Sequence, residues 1–272
     1  MDTMPEEKIC IIGGGNMGEA LAGGIIAGGL ARPEDITVHD IRRERLDHLR
    51  DTLRVCISDT MGTAVQVSAI IILAVKPQNM EEVLRDIAGT VSGRLVISIA
   101  AGVTLGFMER ILGERTRVIR VMPNTPALIG EGATALAGGS NTTESDIAAA
   151  RRIFDSVGMT VVVEEGLIDA VTGLSGSGPA YGFIIIEALA DAGVRQGLEA
   201  QTALRLAAQT MLGAAKLCLK GERTPAQLTD MVTSPGGTTI EGIKALRAGR
   251  ISETIAAAVE AATRRSKELG KK

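Results

Sequence analysis

Residues 69–75 limit the possible folds of this chain more than any other segment, because every one of them is apolar. A strand that exposes one face to water alternates apolar and polar side chains, whereas a strand of a parallel sheet is covered on both faces. The run is also far too short to cross a bilayer. It therefore predicts a strand that is buried on both faces of a parallel sheet.

Strand-like and helix-like segments alternate on either side of this run. One predicted helix begins at Glu19; the other predicted helices cover residues 42–53, 79–88, 105–112 and 144–157, and the predicted strands cover residues 8–12, 36–40, 55–58, 69–75, 95–99, 117–121 and 160–163. Strands interleaved with helices favour right-handed crossovers. We therefore predict an α/β fold with a doubly wound sheet.

The pattern changes after residue 165, where the strand signal ends and apolar residues recur at helical spacing. The predicted helices of this part cover residues 180–193, 202–219, 225–232, 239–247 and 251–269. We predict two domains, an α/β domain over residues 1–165 and an all-helical domain over residues 166–272. Because the helical part is small and apolar on more than one side, a second copy is its simplest partner, and we expect a homodimer or a larger homo-oligomer.

Composition argues against several classes of function. The net charge is -3, so no overall basic field attracts nucleic acid, and the chain has almost no aromatic rings on which bases could stack. The three cysteines lack zinc-ligand spacing, so we expect no metal site. The acidic start lacks the features of a secretory signal, and free thiols are typical of the cytosol. We expect a cytoplasmic protein without a membrane or nucleic-acid partner.

A glycine-rich turn separates the first strand from the first helix. Gly13 supplies the turn, Gly15 a close approach for a pyrophosphate, and Gly18 room for the helix against the strand. A chain with 33 glycines can produce this pattern by chance, but the strand before it, the helix after it and Asp40 at the end of the second strand favour a Rossmann-type dinucleotide site. The predicted cofactor-binding residues here are Ile12, Gly13, Gly14, Gly15, Asn16, Met17, Gly18 and Asp40.

The choice between NADH and NADPH stays open at this point. Asp40 suits a ribose 2'-hydroxyl and favours NADH, whereas Arg42 and Arg43 suit a 2'-phosphate and favour NADPH. The arginines are equally well explained as the solvated start of a helix. We therefore expect both cofactors to support turnover.

Two further strands end at the edge of the sheet where ligands of open α/β folds bind. Ala74, Val75, Lys76 and Pro77 end the most buried strand, and residues 122–126 follow the strand at 117–121. These four residues and Asn124 are candidates for cofactor binding, with Asn124 and nearby carbonyls facing a nicotinamide ring. The plainer alternatives are a strand-terminal lysine that reaches solvent and a structural turn.

Residues 175–179 and 233–239 are dense in small residues, and each segment leads into a helix. Consecutive N–H groups and hydroxyls with a helix dipole behind them resemble an anion site. A flexible linker has a similar composition, but these segments interrupt helical regions. The candidate substrate-binding residues are Ser177, Ser234, Gly236, Gly237, Thr238 and Thr239, with the N–H groups of the last three facing a carboxylate.

These motifs, in this order, resemble the motif series of the pyrroline-5-carboxylate reductase family. The resemblance covers nearly the whole chain and rests on residues 13–18, 74–78, 122–126, 174–181, 187–193 and 232–239. It implies a Rossmann domain, a helical domain that interlocks in a dimer, and NAD(P)H-dependent reduction of 1-pyrroline-5-carboxylate to L-proline. The chain departs from the family pattern at Met61, commonly Asn, and at Ala69, commonly Asp.

The resemblance also implies roles for single residues. It places the imine nitrogen beside the Thr239 hydroxyl, with Lys76 and Glu222 as outer members of a proton relay. Such a reduction needs a hydride and a proton but no nucleophile or metal. The alternatives are a reductase of a related cyclic imine acid and a non-catalytic nucleotide-sensing paralogue, against which the intact loop at residues 234–239 argues.

Overall fold

A computed structural model describes residues 7–270. Its eight-stranded sheet has the strand order β3-β2-β1-β4-β5-β6-β7-β8. Strands β1 to β6 are parallel to one another, β7 is antiparallel to β6, and β8 is parallel to β7. The strands are β1 Ile9–Ile12, β2 Ile36–His39, β3 Cys56–Ile57, β4 Ile70–Leu73, β5 Leu95–Ser98, β6 Arg117–Met122, β7 Gly132–Gly138 and β8 Gly158–Val162.

Helices follow most of the strands and make up the later part of the chain. They are α1 Asn16–Ala27, α2 Arg43–Leu53, α3 Met61–Gln66, α4 Met80–Ile87, α5 Leu105–Leu112, α6 Glu144–Asp155, α7 Ile168–Val171, α8 Gly178–Arg195, α9 Ala200–Leu219, α10 Pro225–Met231, α11 Thr238–Ala248 and α12 Ile251–Leu269. A π-helical turn, Thr172–Gly176, follows α7. Several helices begin at threonine caps: Thr104 Oγ1 accepts a hydrogen bond from the Phe107 N–H, and Thr143 and Asp146 form a capping box.

The strand predicted to be buried on both faces is β4. Ile70 and Ile72 join one hydrophobic cluster, whereas Ile71 and Leu73 join the cluster on the opposite side of the sheet. All four residues are 1 % exposed or less. The sheet therefore lies between two aliphatic layers, as the unbroken apolar run predicts.

The sheet differs from the predicted one at β7. This strand was not predicted, and it runs back antiparallel to β6, so the sheet is mixed rather than wholly parallel. Its residues are mostly Gly and Ala, which carry little strand preference. The short helix α3 was also not predicted.

Two compact units divide the chain. The sheet unit runs to Ser177 and resumes at Ala261, and the helical unit covers Gly178–Glu260. Thus α7, the π-helical turn and the last turns of α12 group with the sheet. The domain boundary at residue 165 stays a prediction.

The helical unit has a small buried core. Its buried cluster consists of Ala190, Ala203 and Ala207, where α8 and α9 pack together. Phe183 and Ile184 on α8 are 65 % and 64 % exposed. Within residues 7–270 no helix is both long and apolar enough to span a membrane.

Candidate functional site

The glycine turn lies where three parallel strands end. The Gly13 N–H donates to the His39 carbonyl at 2.8 Å, and the Ala74 N–H donates to the Ile12 carbonyl at 2.8 Å. The carboxyl ends of β2, β1 and β4 are thus held side by side. The strand order reverses here, because the chain passes from β1 to β2 and β3 on one side and then returns to β4 on the other side of β1. Such a switch point is where open α/β sheets bind ligands.

The surroundings of the three glycines agree with the predicted need for residues without side chains. Gly13 has a φ of +107°, and an added Cβ there would lie 2.5 Å from the Ala74 carbonyl oxygen. At Gly18 an added Cβ would lie 2.1 Å from the Gly13 carbonyl oxygen, so the helix packs directly on the turn. An added Cβ at Gly15 would meet nothing within 4 Å, so this side of the turn is open to a ligand.

The start of α1 faces this open side without a side-chain cap. Gly15 is the N-cap residue and provides no capping group. The N–H groups of Asn16, Met17 and Gly18 therefore have no partner within the helix, which is the arrangement that binds phosphate oxygens. These residues fit the pyrophosphate of a dinucleotide.

Asp40 closes the turn from β2. It accepts hydrogen bonds from the Gly14 N–H at 2.8 Å and the Arg42 N–H at 2.9 Å, and Arg42 Nε lies 3.2 Å from Asp40 Oδ1. Burial opposes ionisation of Asp40, but the hydrogen bonds from Arg42 and Gly14 outweigh burial and hold the pKa of the carboxyl below its ordinary value of 3.8. Asp40 is thus an ionised residue with both oxygens engaged by protein groups.

The two arginines after Asp40 have different partners. The Arg42 side chain is 60 % exposed beside Asp40, whereas Arg43 pairs with Asp47 at 3.2 Å and Asp59 at 2.6 Å. Of the pair, Arg42 is the one that stands next to the glycine turn.

Arg45 is a contact of the turn that the sequence analysis missed. Its Nε donates to the Gly14 carbonyl at 2.8 Å, and its Nη2 lies 2.5 Å from Glu19. Asp40 and Arg45 therefore hold the Gly14 residue from both sides, at its N–H and at its carbonyl. Only a charged helix start was visible in the sequence at this position.

Lys76 and Asn124 follow the ends of β4 and β6. Lys76 is exposed and precedes the short turn Pro77–Asn79. Asn124 is half-buried; its Oδ1 accepts from the Ala133 N–H at 2.8 Å, and its Nδ2 donates to the Ser175 carbonyl at 3.0 Å. The backbone thus takes both ends of this amide, which differs from the predicted presentation of Asn124 to a nicotinamide ring.

The loop at residues 234–239 belongs to the helical unit. Gly236 has a φ of +72°, and the Gly237 N–H donates to the Ser234 carbonyl at 3.0 Å. The Gly237 N–H therefore has a partner within the turn, which differs from its predicted role of facing a carboxylate. Thr238 and Thr239 open α11, and their N–H groups have no partner within the helix.

Two candidate substrate-binding residues, Ser177 and Glu222, remain to be placed. Ser177 ends the first segment of the sheet unit, and Glu222 is exposed on the turn between α9 and α10. In the part of the chain that the structure describes, no group of three or more His, Cys, Asp or Glu residues is arranged to hold a metal ion.

Two family models match the chain. The model described as "NADP oxidoreductase coenzyme F420-dependent" matches residues 8–102, and the model described as "Pyrroline-5-carboxylate reductase dimerisation" matches residues 165–269. The pyrroline-5-carboxylate reductase of Methanosarcina acetivorans is 49 % identical over 99 % of this chain and 100 % of the relative. That of Escherichia coli is 40 % identical over 98 % of this chain and 99 % of the relative.

Solved structures agree with these matches. A pyrroline-5-carboxylate reductase from Coxiella burnetii has a TM-score of 0.94 at 38 % identity, with 98 % of this chain and 100 % of that chain covered. The Plasmodium falciparum pyrroline carboxylate reductase with NADP bound has a TM-score of 0.88 at 33 % identity, covering 98 % of this chain and 99 % of that one. The fold and the glycine turn define a Rossmann-type dinucleotide-binding protein with a helical second part. Since the similarity extends over the full chain, this protein belongs to the pyrroline-5-carboxylate reductase family.

Proposed function

We propose that this protein reduces 1-pyrroline-5-carboxylate to L-proline with NADPH or NADH. The observation that carries this conclusion is the 49 % identity over 270 residues to the Methanosarcina relative, because both the glycine turn and the helical loop lie within it. The reduced nicotinamide supplies the hydride when it is bound. The cytoplasmic location, the homo-oligomer and the absence of a nucleic-acid partner stay predictions.

The glycine turn provides the proposed dinucleotide site. The N–H groups of Asn16, Met17 and Gly18 bind the pyrophosphate, and the open face of Gly15 lets it approach the backbone. Asp40 and Arg42 lie at the adenosine end, and the β4 end lies beside Gly13. The full proposed set is Ile12, Gly13, Gly14, Gly15, Asn16, Met17, Gly18, Asp40, Arg42, Ala74, Val75, Lys76 and Pro77.

The start of α11 provides the proposed substrate site. The N–H groups of Thr238 and Thr239 bind the substrate carboxylate, and Gly236 and Ser234 shape the turn that precedes them. The Thr239 hydroxyl positions the imine nitrogen and takes part in its protonation. Lys76 and Glu222 are the proposed outer members of the relay, and Ser177 is a further substrate contact.

Thr239→Val tests the substrate site, because it keeps the shape of the side chain and removes the hydroxyl. We expect kcat/KM for 1-pyrroline-5-carboxylate to fall about 10²-fold, with the Kd for NADPH unchanged. Thr254→Val is the matched control, since the Thr254 hydroxyl donates to the carbonyl of Arg250, the residue just before its own helix α12. Wild-type rates in folded Thr239→Val would refute the role and make Lys76 the next candidate.

An activity assay of the wild-type protein tests the proposed function. NADPH oxidation is measured with 1-pyrroline-5-carboxylate and, in parallel, with its six-membered homologue. Faster turnover of the six-membered ring would identify a reductase of a related cyclic imine acid. Binding of NADPH without oxidation in either reaction would identify a nucleotide sensor.

Arg42 is proposed to contact the 2'-phosphate of NADPH. Because Arg42 already engages Asp40, a ribose 2'-hydroxyl has to compete for that carboxylate, whereas a phosphate meets an exposed guanidinium. We expect Arg42→Gln to lower kcat/KM for NADPH about tenfold and to change that for NADH little. Arg43→Gln is the control, since Arg43 pairs with Asp47 and Asp59. Equal losses with both cofactors in Arg42→Gln would show that Arg42 does not read the phosphate.

A further inference from the structure

Asn124 joins the turn after β6 to two other segments of the sheet unit. Its Nδ2 donates to the Ser175 carbonyl at 3.0 Å, and its Oδ1 accepts from the Ala133 N–H at 2.8 Å. The first bond reaches the π-helical turn Thr172–Gly176, and the second reaches the start of β7. The half-buried amide of Asn124 thus connects the end of β6 to the π-helical turn and to β7.

The sequence removes one donor that the Ser175 carbonyl would have in a continuous α-helix. The residue four positions later is Pro179, which has no N–H, so the ordinary helical partner of this carbonyl does not exist. π-Helical turns are rare and occur frequently at functional sites. The two segments also touch beside this bond, because an added Cβ on Gly176 would lie 2.6 Å from Met122 Cε.

The strand order indicates which half of a dinucleotide lies near Asn124. Asp40 and the adenosine end lie at β2, and the glycine turn lies at β1. In the order β2-β1-β4-β5-β6, the end of β6 lies on the other side of the switch point, where the second half of a dinucleotide extends.

We propose that Asn124 is a positioning residue that holds the turn after β6 against the π-helical turn and so shapes the nicotinamide end of the dinucleotide site. The proposal rests on the function proposed above. Asn124 acts through the backbone of these segments, since its Nδ2 and its Oδ1 each bond a backbone group. It therefore affects ligands that carry a nicotinamide and not those that end at the adenosine half.

Asn124→Asp tests this, because the aspartate keeps an oxygen for the Ala133 N–H but places a second oxygen against the Ser175 carbonyl. Kd values are measured for NADPH and for 2',5'-ADP, which carries the adenosine half and the 2'-phosphate but no nicotinamide. We expect the Kd for NADPH to rise about tenfold and that for 2',5'-ADP to change less than about twofold. If Asn124→Asp does not fold, Asn124→Ala removes both bonds without adding a charge and is compared in the same way.

Asn141→Asp is the matched control. Asn141 also donates its amide Nδ2 to a backbone carbonyl of the sheet unit, that of Glu114, and both Kd values are expected to stay at wild-type level. An unchanged Kd for NADPH in the Asn124 variant would overturn the proposal, as would an equal weakening of both ligands, which indicates a general structural loss. A wild-type protein that binds NADPH but does not reduce 1-pyrroline-5-carboxylate would overturn the proposed function. The comparison of the Kd values for the two ligands would still test the role of Asn124.

Discussion

At the scale of single residues, the Thr134 hydroxyl is the one buried side-chain polar atom without a hydrogen-bond partner among the described residues. A buried polar group without a partner loses its hydration and gains nothing in return. Thr134→Val keeps the shape and removes the hydroxyl, so we expect the free energy of unfolding to rise by about 1 kcal/mol. Thermal denaturation should show a Tm about 2–4 °C above that of the wild type.

Thr160 is the matched control, because it lies opposite Thr134 on the neighbouring strand β8. Its hydroxyl donates to Asp155 at 2.7 Å and accepts from Arg151 Nε at 3.3 Å. The same change, Thr160→Val, removes two bonds and is expected to lower the Tm. A lower Tm in both variants would show that the Thr134 hydroxyl contributes to stability.

Some residues of the candidate site can be predicted from the sequence, whereas the partners of others cannot. The roles of Gly13, Gly15 and Gly18 follow from the sequence because each depends on the absence of a side chain. The partners of Arg42, Arg45 and Asn124 depend on the direction of long or branched polar side chains, and periodicity carries no such information. Asp40 follows the second strand as the sequence predicts, but its bond to the Gly14 N–H depends on the direction of its side chain.

At the scale of elements, the sequence predicts the helices and strands that have a clear hydrophobic pattern or cap of their own. The predicted helix at residues 105–112 agrees with α5, where Thr104 caps the start and Gly113 ends the helix. The long helices after residue 178 are similarly predicted by their spacing. β7 was missed because Gly and Ala do not favour strands, and its place is determined by the pairing with β6 and β8.

The last turns of α12 make a testable contribution to the sheet unit. Ser266 is 4 % exposed, and its hydroxyl donates to Asp169 Oδ1 at 2.6 Å. Asp169 also lies 3.9 Å from the buried Arg120. Because the acceptor is charged, we expect Ser266→Ala to lower the free energy of unfolding by about 1–2 kcal/mol in denaturant titrations.

Ser252→Ala is the control for this element. Ser252 is an exposed residue of the same helix, and its loss is expected to change stability by less than about 0.5 kcal/mol. Equal stability of the Ser266 and Ser252 variants would contradict the role of this contact in holding the last turns of α12.

At the scale of the whole molecule, the helical unit lacks the core that its length requires. Its buried cluster holds three alanines, which remove little apolar surface from water. Meanwhile Phe183, Ile184 and Leu206 are 65 %, 64 % and 55 % exposed. Apolar exposure on this scale marks an interface, and residues 165–269 match a dimerisation family model.

We therefore predict that the protein is a dimer or a larger homo-oligomer. Light scattering at micromolar concentration should give at least twice the chain mass of 28.3 kDa. Phe183→Glu places a charge on the exposed face of α8 and is expected to weaken assembly and to lower activity with it, because burying an unpaired charge in an interface is costly. Val67→Glu adds the same charge at an exposed apolar residue of the sheet unit and should leave the mass unchanged. A fully active protein with a mass of one chain would contradict the prediction, since the α8 face would then be exposed in the working enzyme.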